Sequence, residues 1–313
     1  MSSSGVAYST PDYIDRALEQ TTSLTDGSLN ANFFVFPELE APSSGLLAEA
    51  TEALGELPTP VRIEVPALIE PYTPNLDVQL EAVWRHRPAV LTFHLGLPPE
   101  HVVEQAHRQN IAVGVTATCL REAKLIAAAG ADFVVAQGWE AGGHRGTFTA
   151  DADDEALPLL ALVRALSKDL SIPIVAAGGL MNGGDIAKVI AAGATAAQLG
   201  TAFLCCDEAG TPATHREVLT AAAAETVFTS AFSGRPARGV RNTFIEAMAG
   251  KPVLPFPQQN TLTGSLRQWA ASAEQPGFQS VWSGSGLGGI RPMSAAQLMA
   301  TLKHELARAA IRS

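Results

Sequence analysis

The sequence predicts an α/β protein built as a TIM-type (β/α)8 barrel, and three observations favour this fold. Short apolar runs alternate with amphipathic helical patterns across the middle of the 313-residue chain. Between successive runs lie enough residues for a crossover helix, which neighbouring parallel strands require. Glycines and polar side chains follow directly after the runs, where α/β enzymes place their chemistry. Spacing alone leaves a doubly wound open sheet as the alternative.

Each predicted strand is an apolar run without helical periodicity, as expected for strands that are buried on both faces. With the candidate at 5–9 the strands number about seven, whereas closure of the barrel requires eight. We therefore expect a barrel that lacks its first strand and helix. The strands span residues 29–36, 89–93, 111–115, 133–136, 172–177 and 194–199, with weaker candidates at 5–9 and 61–65.

The predicted helices carry apolar residues at helical spacing. After Thr201 the strands give way to helices and to loops rich in Gly, Pro and Ser. We therefore interpret the chain as one domain, 1–313, in which residues 205–313 form a helical and loop cap or extension. The helices span residues 11–22, 42–57, 76–87, 122–129, 154–167, 185–192, 213–226 and 294–312, and another begins after Pro98 and Pro99.

Composition limits the partners of this chain. Its net charge of −10 and its 21 scattered basic residues argue against nucleic acid, which binds clustered Lys and Arg. No window approaches the roughly 18 apolar residues of a membrane span, and the start has no signal-peptide pattern. We therefore expect a cytoplasmic protein that binds neither nucleic acid nor membranes. Its cysteines, Cys119, Cys205 and Cys206, are expected to be reduced core residues.

The best candidate for proton transfer is His144, because imidazole titrates near neutrality. It follows the strand at 133–136 and stands beside Gly142 and Gly143. A lone histidine is more often structural, but glycines here let a flat ligand approach the backbone closely. His94 holds the equivalent place after another predicted strand. Both imidazoles are therefore candidates for one pocket.

Two strand ends that contain glycine predict a phosphate site. Backbone N–H groups there, together with a helix amino terminus, bind phosphate in barrels of this class. Tight turns are the alternative explanation for these glycines. No Walker sequence or dinucleotide GxG pattern occurs, whereas one phosphate and a flat ring over the barrel mouth fit flavin mononucleotide (FMN). The residues concerned are Gly178, Gly179, Gln198, Leu199, Gly200 and Thr201.

Charged residues near these strands are interpreted as structural. Glu140 is expected to cap backbone N–H groups of its own loop, with a role as a base as the alternative. The acidic run at 151–155 is expected to stand at a helix start, where negative charge complements the helix dipole, so no metal site is predicted. Arg235, Arg238 and Arg241 are expected to lie in a solvated or ion-paired loop, with binding of an anionic substrate as the alternative.

Four motifs resemble those of the nitronate monooxygenase family, formerly called 2-nitropropane dioxygenases. The resemblance implies an FMN-dependent barrel in which His144 removes the proton α to a nitro group, with His94 in the pocket. It further implies flavin contacts by Asn32, Gln137 and Gly142, and a phosphate site formed by Gly179 and the residues at 198–201. The motifs are AQGWEAGGHRGTF (136–148), IVAAGGL followed by NGGDI (174–186), AQLGTAFL (197–204) and FSGRPARGVRN (232–242).

We therefore expect an FMN-dependent nitronate monooxygenase that oxidises alkyl nitronates or nitroalkanes with O₂ to a carbonyl compound and nitrite. Its partners are a small-molecule substrate and O₂, and a homodimer is left open. One alternative keeps FMN but makes the chain an NAD(P)H-dependent reductase of enoyl or quinone substrates. The other alternative is an inactive barrel remnant that binds no flavin.

Overall fold

The computed structural model describes residues 2–60, 64–149, 154–221 and 224–311. None of the helices in these ranges is long and apolar enough to cross a membrane. The strands are β1 (Ser2–Gly5), β2 (Leu29–Phe34), β3 (Val90–His94), β4 (Ala112–Ala117), β5 (Phe133–Gln137), β6 (Gly143–His144), β7 (Ile174–Ala177), β8 (Ala196–Gln198), β9 (Thr226–Thr229) and β10 (Ala237–Val240). The α-helices are α1 (Pro11–Leu24), α2 (Ser44–Gly55), α3 (Leu76–His86), α4 (Glu100–Arg108), α5 (Leu120–Ala128), α6 (Leu159–Asp169), α7 (Gly183–Ala191), α8 (Ala213–Thr220), α9 (Thr243–Ala247), α10 (Gln258–Leu262), α11 (Gly264–Ser272) and α12 (Ala295–Ala310).

One parallel sheet forms the centre of the fold. Its strand order is β1-β2-β3-β4-β5-β7-β8, so each strand pairs with the next one along the chain, apart from the short β6. A doubly wound sheet reverses its strand order at a switch point, and no reversal occurs among the described strands. The sequential order is that of a (β/α) barrel, as the sequence predicts. Within the described residues no pairing joins β8 to β1, so each of these strands has one unpaired edge.

A large apolar cluster packs the sheet against its helices. Phe33 of β2 and Phe93 of β3 are fully buried, and their ring centroids lie 6.4 Å apart. Ile14 and Leu18, one helical turn apart on α1, belong to the same cluster and are also buried. The three predicted core cysteines are free and buried, so that prediction is confirmed.

A second apolar cluster connects α2 with the C-terminal part of the chain. Ala50 and Leu54 of α2 belong to the same cluster as Phe232, Phe244 and Leu266. The helix that follows β2 therefore packs on residues that lie almost two hundred positions later. This cluster therefore joins an early segment to residues within 205–313.

Residues 205–313 contain more strand structure than the sequence predicts, since β9 and β10 lie there. Strand β10 runs through the motif FSGRPARGVRN and pairs antiparallel with both β6 and β9. Arg235 and Arg238 are only 3% and 7% exposed, so the expected solvated loop is wrong for both. Their guanidinium groups donate to backbone carbonyls, Arg235 to Thr147 and Arg238 to Trp139. These carbonyls satisfy the buried donors.

Other boundaries also differ from the predictions. Asp154 and Glu155, the described part of the acidic run, do not stand at a helix start, because α6 begins only at Leu159. Asp154 instead pairs with the buried Arg145, with 2.6 Å between Oδ2 and Nε. Glu140 caps this helix rather than its own loop, since its Oε2 accepts from the Leu159 N–H at 2.9 Å. Strand β1 precedes the predicted 5–9 segment, and parts of two predicted segments, 61–63 and 151–153, lie outside the described residues.

The buried carboxylate of Glu122 connects two strand ends near the barrel mouth. Its Oε2 accepts from the N–H and the hydroxyl of Thr118, both at 2.7 Å. Its Oε1 accepts from the N–H of Phe148 at 2.9 Å. Glu122 is 1% exposed, and these three donors compensate for its burial. The carboxylate therefore fixes the loop after β4 against the segment that follows His144.

Glu122→Gln is expected to lower the free energy of unfolding by about 2 kcal/mol. The amide has one acceptor oxygen, so its NH₂ group must face one of the buried donors. Urea unfolding measures the change. Glu104→Gln on α4 is the matched control, because the Glu104 side chain is 59% exposed and pairs only with Arg108 at 3.5 Å. Equal stability of the two variants would contradict the structural role of Glu122.

Candidate active site

A cavity of about 400 Å³ opens at the carboxyl ends of the parallel strands. Its wall combines residues near or just beyond the carboxyl ends of β2, β3, β5, β7 and β8 with Trp282 and Ser283. Every site residue that the sequence predicts lies on this wall. They are Asn32, His94, Gln137, Gly142, His144, Gly178, Gly179, Gln198, Leu199, Gly200 and Thr201.

The glycine turn after β7 forms one end of the cavity. Gly178 and Gly179 have φ angles of +123° and +68°, which residues with a Cβ rarely adopt. The turn packs against the loop after β5, because a Cβ on Gly179 would lie 2.8 Å from Cβ of Glu140. Next to it, Gly200 has open space where a Cβ would point. Backbone N–H groups can therefore face a ligand at this end without obstruction by side chains.

The C-terminal segment 283–285 holds the loops of the cavity together. A Cβ on Gly142 would lie 2.4 Å from both the nitrogen of Gly284 and the carbonyl carbon of Ser283. The Gly284 N–H donates to Oγ1 of Thr201 at 2.9 Å, and the Ser285 N–H donates to the Glu140 carbonyl at 2.9 Å. Segment 283–285 therefore fixes the loop after β5 relative to the residues that follow β8.

His144 is anchored through both its backbone and its ring. Its carbonyl accepts from Nε2 of His94 at 3.0 Å and from Nε2 of Gln137 at 2.9 Å. Since a carbonyl only accepts, the hydrogen of neutral His94 is on Nε2. The Nε2 atom of His144 lies 3.0 Å from Oγ of Ser233. The two predicted histidines are therefore brought together, with His94 supporting the backbone of His144.

The carboxamide of Gln137 is oriented by donors around its oxygen. The Gly146 N–H donates to Oε1 at 2.8 Å, so Nε2 is left to donate to the His144 carbonyl. Nη1 of Arg145 donates to the Gln137 carbonyl at 2.7 Å. Arg145 is 2% exposed and its charge is balanced by Asp154. The ion pair of Arg145 with Asp154 therefore holds Gln137 in place, and the carboxamide of Gln137 in turn fixes the backbone of His144.

Aromatic rings surround the imidazole of His144. The ring centroids of Phe34, Phe256 and Trp282 lie 5.5, 5.1 and 5.8 Å from it. Phe34 and Trp282 also line the cavity. The rings keep water away from the imidazole, and this increases the free-energy cost of charging it.

Both histidines are neutral at pH 7. Burial lowers the pKa of His144 to about 3 and the pKa of His94 to about 4. The positive charge of Arg235 makes a smaller contribution to the lowering of both pKa values. A neutral imidazole has one nitrogen that can accept a proton. His144 is therefore in the protonation state that a general base requires.

These pKa shifts predict an acid-sensitive fold. In the unfolded chain the imidazoles have a pKa of about 6.5, so below that pH the unfolded state binds more protons than the folded state. The corresponding stability is fully present above about pH 6.5 and is lost as the pH falls toward the folded pKa values. From pH 7 to pH 5 we expect a loss of about 1 kcal/mol for each imidazole, discounted for its partial exposure.

Urea unfolding of the apoprotein at both pH values measures this loss. The double variant His94→Asn, His144→Asn is the comparison, because the other titratable groups stay the same. Its free energy of unfolding is expected to fall less between pH 7 and pH 5. An identical pH dependence in the two proteins would contradict the assignment.

Several residues of the site were not predicted from the sequence. Ser233 lies 89 positions after His144, in the motif that the sequence predicts to be a solvated or ion-paired loop. Trp282 and Ser283 lie in a Gly- and Ser-rich stretch without periodicity, and Phe34 looked like one more strand residue. The one sequence signal for Ser233 is its place in the motif FSGRPARGVRN. No sequence pattern connects this serine with His144.

Comparison with known proteins identifies the family. The sequence model for nitronate monooxygenase matches residues 3–305. The chain belongs to the nitronate monooxygenase family. It is 40% identical over 299 residues to a nitronate monooxygenase of Pseudomonas aeruginosa, covering 92% of this chain and 84% of the relative. It is 37% identical over 319 residues to one of Paraburkholderia phytofirmans, covering 98% and 85%.

A solved structure confirms the fold of this nitronate monooxygenase family member. The structure of a nitroalkane oxidase from Streptomyces ansochromogenes is similar, with a TM-score of 0.91 and 35% sequence identity. The similarity covers 99% of this chain and 89% of the other. The nitronate monooxygenase family consists of FMN-dependent oxidoreductases, so the predicted enzyme class and cofactor are confirmed.

The residues of the cavity fit FMN. The free space at Gly200 and the positive φ angles at Gly178 and Gly179 leave backbone N–H groups accessible to a phosphate. At the other end, amide side chains of Asn32 and Gln137 line the cavity and can meet the polar edge of a flat ring. The roles of the individual residues stay predictions.

Proposed function

We propose that this chain oxidises alkyl nitronates with O₂ to a carbonyl compound and nitrite, and that it also accepts neutral nitroalkanes. One observation carries the proposal. A neutral, half-buried imidazole, His144, lines the same cavity as the glycine turns that suit a phosphate. Membership of the nitronate monooxygenase family and similarity to a nitroalkane oxidase support this chemistry.

In this proposal His144 removes the proton on the carbon next to the nitro group. The proton moves to the imidazole, and the C–H electron pair moves into the nitro group to give the nitronate anion. The apolar ring of Phe34 and the indole of Trp282 exclude water from this step. When bound, FMN supplies the redox chemistry with O₂ that follows. A nitronate added as the preformed anion needs no base.

The cofactor roles follow the same geometry. We propose that N–H groups of the glycine turns hold the phosphate and that the amide side chains face the ring. Gly142 would lie along the flat part of the cofactor, since it lines the cavity. The proposed phosphate residues are Gly178, Gly179, Gln198, Leu199, Gly200 and Thr201, and the proposed ring contacts are Asn32, Gln137 and Gly142.

The proposal is tested with purified protein reconstituted with FMN. Ethylnitronate and O₂ are expected to give acetaldehyde and nitrite, with O₂ consumption that depends on the nitronate. Rapid anaerobic bleaching of the flavin by NADH, without nitrite formation from ethylnitronate, would favour a reductase instead. Protein that stays colourless after incubation with FMN would favour a flavin-free remnant.

The remaining expectations from the sequence stay predictions. They are the single-domain organisation with residues 205–313 as an extension, the cytoplasmic location, the homodimer and the absence of a nucleic-acid partner. We propose a small organic substrate and O₂ as the reaction partners, which fits a cavity of about 400 Å³.

A further inference from the structure

The hydroxyl of Ser233 occupies a position that decides which nitrogen of His144 carries a hydrogen. Its Oγ lies 3.0 Å from Nε2 of His144. The same hydroxyl donates to the carbonyl of Arg235 at 3.2 Å. Ser233 is 1% exposed, so water does not compete for these contacts. A buried hydroxyl with two protein partners has a defined direction for its single proton.

The direction of that proton determines the tautomer of the imidazole. The Arg235 carbonyl can only accept, and a hydroxyl proton directed at it leaves the lone pairs of Oγ as acceptors toward His144. Neutral His144 must then carry its hydrogen on Nε2. Its Nδ1 atom keeps the lone pair, which is the site that can take a proton from a substrate.

The surrounding residues hold Ser233 and the imidazole of His144 in fixed positions. Residue His144 is opposite Ala237 in the antiparallel pairing of β6 with β10, which fixes its backbone relative to the Ser233 loop. Arg235 donates to the carbonyls of Thr147 and Arg145, so the carbonyl that orients Ser233 belongs to a fixed residue. The aromatic rings of Phe34 and Phe256 restrict rotation of the imidazole.

We propose that Ser233 is a positioning residue that holds His144 in the Nε2–H tautomer and presents Nδ1 as the basic nitrogen to the nitroalkane. This inference rests on the proposed function. During proton abstraction the bond from carbon to hydrogen breaks, a bond from Nδ1 to hydrogen forms, and the nitronate keeps the electron pair. The imidazolium then donates from Nε2 to Oγ of Ser233, which stabilises its charge.

Kinetics with two substrates test this role. Ser233→Ala is expected to lower kcat/KM for freshly dissolved nitroethane about 10- to 100-fold, the range for removing a group that orients a functional histidine. It is expected to retain kcat/KM for preformed ethylnitronate within about threefold, because that substrate needs no base. Ser233→Thr keeps the hydroxyl and is expected to recover most of the nitroethane activity.

A matched variant separates positioning from loss of structure. Thr263→Val removes another buried hydroxyl, which donates to the carbonyl of Phe232 next to Ser233 but is not bonded to His144. It is expected to leave the ratio of the two kcat/KM values as in the unchanged protein. An equal loss on both substrates in Ser233→Ala, or no loss on nitroethane, would overturn the proposal.

A measurement independent of activity addresses the tautomer itself. Nitrogen NMR of ¹⁵N-histidine-labelled holoprotein at pH 7 is expected to give a protonated Nε2 and an unprotonated Nδ1 for His144, assigned by comparison with His144→Asn. In Ser233→Ala the two tautomers are expected to mix. An Nδ1–H tautomer in the unchanged protein would refute the proposal. If the protein oxidises neither substrate, the proposed function fails, while the NMR result still decides the tautomer.

Discussion

His144→Asn is expected to lower kcat/KM for neutral nitroethane by about 10²- to 10⁴-fold, the usual contribution of a general base. Asparagine keeps a polar side chain of similar reach, but its amide does not accept a proton at neutral pH. Turnover of preformed ethylnitronate is expected to persist, since the nitronate has already lost that proton. Oxygen consumption and nitrite formation with each substrate measure the two activities separately.

A second histidine provides the control for this experiment. His101 on α4 is exposed and pairs with Asp77 at 2.9 Å, away from the cavity. His101→Asn is therefore expected to retain activity on both substrates. Equal activity of His144→Asn and the unchanged protein on nitroethane would remove His144 from the role of base.

Gly142→Ala is expected to weaken FMN binding by about 10- to 100-fold. The added Cβ would lie 2.4 Å from backbone atoms of both Ser283 and Gly284, which cannot move aside as a flexible side chain can. Separating the two loops costs about 1–3 kcal/mol by the usual penalty for overpacking. Moving the two loops apart would also weaken the hydrogen bond from the Gly284 N–H to Thr201, which is one of the proposed phosphate residues. Flavin fluorescence during reconstitution of the apoprotein measures the Kd.

Gly288→Ala is the matched control for Gly142→Ala. A Cβ on Gly288 meets no atom within 4 Å, although the residue lies only four positions after Gly284. FMN affinity in this variant is expected to be unchanged. An unchanged Kd in Gly142→Ala as well would show that contact between the two loops does not support the cofactor site.

Local sequence patterns were sufficient to predict the barrel. Strands such as β3 and β4 are apolar runs followed by a helix, and both the periodicity and the spacing are visible along the chain. The cavity residues at strand ends were predictable for the same reason, because parallel strands all present their carboxyl ends at one edge. Gly178 and Gly200 could be placed together without any tertiary information.

Contacts across long sequence separations were not predictable. Arg235 and Arg238 looked like solvent-exposed charges, because nothing in a single sequence indicates the carbonyls that they meet after folding. The pairing of β6 with β10 joins residues about ninety positions apart, and β6 consists of two residues only. Ser233 and Trp282 reach the site through such contacts, so their roles became visible only in the structure.

The packing of α2 on the C-terminal cluster has a consequence for synthesis on the ribosome. The strands from β2 to β8 can pair as they emerge, because each pairs with a recent neighbour. The apolar surface of Ala50 and Leu54 stays uncovered until Phe244 and Leu266 have been synthesised. A nascent chain that ends before this cluster would therefore carry an assembled sheet, an uncovered apolar face on α2 and a His144 ring without Ser233. Exposed apolar surface of this kind is what chaperones recognise.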